Sequence, residues 1–144
     1  MRFIITLGPG TSDAKAEADA PFDENLFAAH MKYNEEMHKA GVLVAAEGLY
    51  PSAPGAHVLI SKTKRTVIDG PFAETKELVG GFYLLEVSSK EQAIEWALRY
   101  PGGFGGDEVL EIRQLTGSSD IPSPLRDIIA AVAPTWGASF LKSQ

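Results

Sequence analysis

Apolar positions along the chain recur with two spacings, one typical of strands and one typical of helices. Residues 2–7 are mostly β-branched, aliphatic or aromatic and are followed by Gly8-Pro9-Gly10, so this run predicts a first strand. Residues 23–40 turn one stripe of side chains to one side at helical spacing, with Asp23 as a suitable N-cap and Gly41 as a stop. The stripe comprises Leu26, His30, Tyr33, Met37 and Ala40.

The chain up to residue 116 continues with further strand and helix patterns. Residues 42–49 are apolar on both faces, which is typical of a strand that is covered on both sides. A second helix is predicted to begin at Ser88 or Ser89, each of which has a capping-box partner three residues later, and to end near Tyr100. The remaining predicted strands are residues 57–61 and 65–68, which form a hairpin, and residues 81–87 and 109–115. This order predicts an α+β fold, a ferredoxin-like βαββαβ sheet with helices on one face and an inserted β-hairpin.

Two parts of this predicted fold need a partner. The sheet face away from the helices is apolar, and a second copy of the same sheet is the simplest cover, which would give a symmetric homodimer. Residues 117–144 depart from the βαββαβ unit, and Ser123-Pro124 is a favourable helix start. The apolar stripe that follows is Leu125, Ile128, Ile129 and Val132. We therefore expect a first domain of residues 1–116 and a C-terminal helical extension, residues 117–144, that packs on the core or on the partner subunit.

Composition limits the classes of function. The net charge is -6 and no cluster of Lys and Arg is present, so nucleic acid is not an expected partner. The absence of cysteine excludes disulfides and thiolate chemistry. No apolar run approaches the roughly 20 residues of a membrane span and no signal peptide is recognisable, so we expect a cytoplasmic protein with no membrane partner. No metal-ligand spacing or phosphate-binding motif occurs, so neither a metal nor another cofactor is expected.

The most distinctive stretch is a polar run between two predicted strands, Asp69-Gly70-Pro71-Phe72-Ala73-Glu74-Thr75-Lys76-Glu77. It is too long for a simple hairpin turn, and such excursions often carry function. It resembles the signature of the DGPF branch of the YCII-related family, and the resemblance extends over about residues 1–116 through Tyr33-Asn34-Glu35-Glu36, Glu47-Gly48-Leu49 and Gly81-Phe82-Tyr83-Leu84. The resemblance implies a ferredoxin-like fold, a dimeric α/β barrel, and bacterial relatives of mostly unknown function that are often encoded beside extracytoplasmic-function sigma factors.

Three residues are predicted as catalytic candidates. Asp69 would act as a base or orient one, although an Asp before Gly-Pro is also explained by a hydrogen bond to the backbone of the turn. Glu47 is expected to share a strand face with Leu43 and Ala45, where a carboxylate is costly unless it is paired or lies at a cavity edge. His30 lies in the apolar stripe of the first helix, so it is either a core histidine or the partner of Asp69 or Glu47.

Substrate contacts are predicted at Tyr33, Arg113 and Lys76. They would offer a hydroxyl, a guanidinium and an ammonium group, and each also has an ordinary role in packing or in a solvated ion pair. Three functions stay open. The first is a small-molecule site near the dimer interface, with or without cofactor-free acid–base chemistry. The second is a non-catalytic regulatory or binding module whose polar motif is structural, and the third is a dimer without a pocket.

Overall fold

The computed structural model describes residues 1–8, 23–49, 54–70, 79–103 and 108–142, and these residues form strands, α-helices and one 3-10 turn. In chain order they are β1 (Arg2–Leu7), α1 (Glu24–Lys39), β2 (Leu43–Gly48), β3 (Ala56–Ile60), β4 (Arg65–Asp69), β5 (Gly81–Glu86), α2 (Lys90–Leu98), β6 (Leu110–Gln114), the 3-10 turn (Ser118–Asp120), α3 (Ser123–Val132) and α4 (Pro134–Lys142). All strands and helices predicted up to residue 116 are present, with ends that differ by one or two residues.

Four of the strands form one antiparallel sheet in the order β2-β5-β1-β6. The units β1-α1-β2 and β5-α2-β6 are interleaved in this order, so that the first strand of each unit lies at the centre. The prediction of an α+β fold with ferredoxin-like strand order is therefore confirmed. β3 and β4 pair with each other in a separate two-stranded sheet, which is the predicted inserted hairpin.

One face of the four-stranded sheet, called the helix face, is covered by α1 and α2. Side chains alternate between the two faces along each strand, and those on the helix face form the core together with residues of the two helices. The core residues are Phe3, Ile5, Tyr33, Met37, Tyr83, Leu85, Val87 and Ala93. Each large apolar side chain that is fully buried contributes about 1.5–3 kcal/mol, so most of the hydrophobic stabilisation of a single chain arises on this face.

The helix ends are fixed by local hydrogen bonds. The Asp23 carboxylate accepts the backbone N–H three residues on at 3.1 Å, and Gly41 follows α1 with a φ of 72° that favours glycine. At α2, the Ser89 hydroxyl accepts from the N–H of Gln92 at 3.2 Å, while the Gln92 side chain accepts from the N–H of Ser88 at 3.0 Å. Ser89 rather than Ser88 is therefore the N-cap, and Gln92 reaches back to the N–H of the residue before the cap instead of closing the capping box on Ser89 itself.

Strand β2 contains an irregularity that changes which side chains share a face. Its register against β5 shifts, so that Leu43 lies opposite Leu85 and Ala45 lies opposite Leu84. One extra residue on one strand of a pair is a β-bulge. The expectation that Leu43 shares a face with Ala45 and Glu47 is wrong, because the bulge turns Leu43 to the helix face.

The β3–β4 hairpin and the C-terminal helices make little contact with the rest of the described chain. Helices α3 and α4 pack on each other, and Ile129 lies so close to Gly137 that a Cβ there would be 2.8 Å from its Cγ2. The sequence predicted one C-terminal helix with Ser123 as its N-cap, whereas the structure has two helices and α3 begins at Ser123 itself. No side chain of α3 is buried, and packing of this extension on the core or a partner stays a prediction.

The pair Gly48 and Gly81, opposite each other in β2 and β5, offers a direct test of this sheet. A Cβ at Gly81 would lie 2.7 Å from the backbone oxygen of Glu47, whereas a Cβ at Gly48 would meet no atom within 4 Å. We expect Gly81→Ala to lower the free energy of unfolding by about 2 kcal/mol, since the two strands must separate. Gly48→Ala should be neutral or stabilising by up to about 1 kcal/mol. Urea unfolding of both variants measures the difference, and equal effects would contradict the close approach of the two strands.

Candidate functional site

The sheet face opposite the helices, called the open face, carries an apolar centre between charged edges. One row of directly opposed residues crosses it from β2 to β6: Glu47, Phe82, Thr6 and Glu111. The neighbouring row is Ala45, Leu84, Ile4 and Arg113. Because neighbouring strands lie about 4.8 Å apart, the two edges are separated by about 14 Å. This width suits a small organic molecule laid across the sheet.

Of the three catalytic candidates, Glu47 is the one that lies on the open face. It is exposed at the end of β2, beside the ring of Phe82, and no ion pair joins it to another described residue. At the opposite edge, Arg113 Nε lies 3.7 Å from Oε1 of Glu111, and both side chains are exposed. Exposed pairs of this kind are weak, so Arg113 remains able to meet an anionic group.

His30 lies on the other side of the sheet from Glu47. Its side chain is buried, with 6% of the residue exposed, and Nε2 donates to the backbone oxygen of Gly102 at 2.9 Å. The imidazole also meets the ring of Tyr100 edge-on, with 5.1 Å between ring centroids. A His30–Glu47 pair is therefore not formed, because the sheet lies between the two side chains.

Tyr33 is held in an aromatic cluster on the helix face. Its hydroxyl donates to the backbone oxygen of Trp96 at 2.7 Å, and its ring meets Tyr83 edge-on at 5.5 Å between centroids. Burial raises the pKa of the hydroxyl, and the nearby Tyr83 raises it further. Burial likewise raises the pKa of Tyr83 and Tyr100. These hydroxyls are neutral, and the Tyr33 hydroxyl is committed to the backbone, which fits a role in packing.

Asp69 ends strand β4 opposite Ala56 and is exposed. The next residue, Gly70, donates its N–H to the oxygen of Gly55 at 2.8 Å, so the pairing of the hairpin continues one step beyond Asp69. The structure does not bring Asp69 against His30 or Glu47 in any described contact, and Lys76 lies outside the described residues. Asp69 and Lys76 both belong to the insertion between β2 and β5. At the base of this insertion, Leu49 donates its N–H to the oxygen of Gly80 at 3.0 Å, and Leu49 is two residues from Glu47.

In the described part of the chain, no group of three or more His, Asp or Glu side chains is placed to hold a metal ion. None of the described helices has the length and apolar character needed to cross a membrane.

Comparison with known families agrees with this architecture. The sequence profile of the YCII-related domain matches residues 3–116, which is most of the chain. The chain belongs to the YCII-related domain family. The matched region ends just before the 3-10 turn that precedes α3, so the two C-terminal helices lie outside it.

The chain is similar to a protein of Rhizobium meliloti (strain 1021) that is called uncharacterized protein R00369. It is 38% identical over 87 residues, which cover 60% of this chain and 67% of the relative. Its name states no activity, and the relationship is consistent with the YCII-related assignment.

Two further polar residues of the YCII-related domain have roles that the sequence did not predict. The Oδ1 atom of Asn34 on α1 is buried without a hydrogen-bond partner, and such an unmet acceptor costs about 1–3 kcal/mol. Its only sequence signal is its place in the run Tyr33-Asn34-Glu35-Glu36. Glu108 accepts the N–H of Gly103 at 3.0 Å and so fastens the loop whose Gly102 oxygen binds His30. No pattern indicates this role, because it depends on a loop conformation.

The buried tyrosines predict a loss of stability at alkaline pH. In the unfolded chain their hydroxyls ionise near pH 10, whereas in the folded chain the raised pKa values keep Tyr33, Tyr83 and Tyr100 neutral. The unfolded state therefore loses protons first, and the free energy of unfolding should be constant below about pH 9.5 and fall above pH 10. Tyr33→Phe or Tyr100→Phe should reduce this fall. Absorbance at 295 nm follows ionisation, and folded protein that titrates all its tyrosines near pH 10 would contradict the burial.

Proposed function

We propose that this YCII-related protein binds a small organic molecule against the open face of its sheet, in a cavity that a second copy of the chain closes. The observation that carries the proposal is the apolar centre of that face, formed by Ile4, Phe82 and Leu84, with the Glu47 carboxylate at its edge. Ligand sites are commonly apolar with a few polar groups that fix orientation. Glu47 is the group proposed to fix the orientation here.

A second copy is the proposed cover because the face is complementary to itself. Under a twofold axis, two apolar centres meet, and the edge that carries Arg113 in one copy can approach the acidic edge that carries Glu47 in the other. Stacked sheets lie about 10 Å apart, so a cavity remains where the side chains are short. This arrangement is the dimeric α/β barrel implied by the family resemblance, and the run Asp69–Glu77 supports membership of the DGPF branch.

Ligand binding is the main function proposed for the open face, and catalysis is an additional proposal. His30 and Tyr33 each donate to a backbone oxygen on the helix face, so a reaction on the open face would rely on Glu47 with Asp69 or Lys76 from the inserted segment. Acid–base chemistry without a cofactor needs a carboxylate and a further polar group near the substrate. A non-catalytic regulatory module with the same cavity is the second candidate, and the commitment of His30 and Tyr33 to the backbone favours it.

The role of Glu47 is tested with Glu47→Gln, and Glu111→Gln is the matched control because both residues end the same row. The probes are small amines and alcohols that carry an aromatic or aliphatic group, screened by saturation-transfer NMR and then titrated by calorimetry. Loss of a hydrogen bond to a charged acceptor costs about 1.5–3 kcal/mol, so Glu47→Gln should weaken the best probe about tenfold or more. Glu111→Gln should bind it as the wild type does. Equal binding by all three proteins would show that Glu47 does not contact the ligand.

The role of the open face as an interface is tested with Leu84→Arg, and Leu98→Arg is the matched control. Leu84 lies in the centre of the open face, whereas Leu98 on α2 is 80% exposed. In sedimentation velocity, the wild type and Leu98→Arg should have twice the chain mass of 15.5 kDa, and Leu84→Arg should have the single mass because a buried unpaired charge is costly. A wild type of single mass, or a folded Leu84→Arg variant that stays dimeric, would contradict the proposal.

A further inference from the structure

Two elements of the chain stand off the folded body and expose apolar side chains. The first is the inserted hairpin, residues 54–70, which exposes Val58, Leu59, Ile60, Val67 and Ile68 to between 44% and 65%. The second is the C-terminal arm, residues 117–142, which exposes Leu125, Ile128, Val132, Trp136 and Leu141 to between 36% and 78%. Single exposed apolar residues are ordinary, but contiguous apolar surfaces mark interaction sites.

The inserted hairpin is apolar on both of its faces. Val58 lies opposite Val67 on one face, and Leu59 lies on the other because neighbouring residues of a strand alternate. His57 lies opposite Ile68, so Ile68 shares the face of Leu59. An isolated two-stranded hairpin is at best marginally stable in water unless further strands or a helix cover it. The inserted hairpin therefore needs a cover that α1 and α2 do not provide.

The C-terminal arm presents a preformed apolar helix surface. Leu125, Ile128 and Val132 recur at helical spacing on α3, so they form one stripe. Ile129 fastens α3 to α4 beside Gly137, where it leaves no room for a side chain. The Trp136 ring, 56% exposed, stacks on Phe140 with 4.8 Å between centroids.

The root of the arm is fixed by one hydrogen bond to the sheet just before it and by one within its own first turn. Leu115 donates its N–H to the oxygen of Arg2 at 2.8 Å, and Gly117 donates to the Asp120 carboxylate at 2.8 Å. Ser118 is buried at this joint. Beyond the joint, α3 and α4 pack extensively with each other alone, and β3 and β4 do the same. Within one chain, the arm and the inserted hairpin do not cover each other.

We propose that the arm of one copy packs across the inserted hairpin of a second copy, and the reverse, in a twofold-symmetric dimer. The arm can cover only one of the two faces of the inserted hairpin. The exposed apolar side chains of the arm and of one hairpin face amount to roughly 800 Å² per chain, so two such contacts would remove on the order of 1,600 Å² of surface, the size of a standard stable interface. The inference shares the second copy with the proposed function but does not depend on the ligand or on contact between the open faces.

Charge does not oppose the contact. The inserted hairpin carries Lys62, Lys64 and Arg65 against Asp69, a net charge of +2, and the arm carries Asp120 and Asp127 against Arg126 and Lys142, a net charge of zero. The arm lies outside the matched region, residues 3–116, so this contact is a property of this chain rather than of the YCII-related domain.

Crosslinking tests the contact cleanly because the chain has no cysteine of its own. Ile128→Cys is mixed with tagged Val58→Cys or tagged Leu59→Cys, and each mixture is treated with a short bismaleimide. We expect a linked product of two different chains in at least one mixture, and the reactive hairpin residue identifies the covered face. Leu98→Cys in place of Ile128→Cys is the control and should give no product above background. Product at the control level in both mixtures would overturn the contact between copies.

The double variants Val58→Cys/Ile128→Cys and Leu59→Cys/Ile128→Cys separate the two ways in which the contact could form. A link within one chain would overturn the proposal, and a link between chains supports it. Ile128→Lys should weaken dimerisation at least tenfold, whereas Leu98→Lys should not. If Leu84→Arg dissociates the dimer but no crosslink forms in the cysteine variants, the arm contact is contradicted and the open-face cavity is not. A crosslink in a dimer that Leu84→Arg leaves intact would remove the open-face cavity and keep the arm contact.

Discussion

Alternation of side chains across a single sheet is the constraint on which the rest of the structure depends. Each strand sends every second side chain to the helix face and the others to the open face. The helix face gains its cover from the two crossover helices, because a β-α-β connection returns its helix to the sheet it came from. The open face gains no helix from this topology. The two faces of the sheet therefore differ. The helix face is a covered core, and the open face is an apolar surface that neither α1 nor α2 covers.

The polar candidate residues are also divided between the two faces of the sheet. His30 and Tyr33 enter the core from α1, and each finds a backbone oxygen, on Gly102 and on Trp96. Polar groups in a core are tolerated when they are bonded in this way, so both residues are explained by the fold. Glu47 faces the other side, where no described group has claimed it. This difference in hydrogen bonding is the reason why the proposal of a ligand site places it on the open face.

Much of the fold could be predicted from periodicity, because strand and helix patterns are local and their caps are chemical. Asp23 and Ser89 cap the starts of α1 and α2, and Gly41 follows the end of α1, as expected. The face of Leu43 could not be predicted, since a bulge shifts the pattern without changing any residue type. The surroundings of the candidate site residues could not be predicted for a related reason. The partners of His30, Tyr33 and Glu108 are backbone groups, and a sequence gives no sign of which backbone atom a side chain will reach.

The inserted hairpin and the C-terminal arm are well formed locally but are not covered by the other described elements of the chain. Each is well formed by its own rules: Val58 pairs with Val67, and Ile129 fits against Gly137. Natural sequences are expected to satisfy both the local and the global level, yet neither element is covered by another described element of the same chain. If both are covered in the assembly, part of the stability of this protein belongs to the contact between chains and depends on concentration. The exposed apolar side chains of the two elements are then contact surfaces for a second copy of the chain and not packing defects.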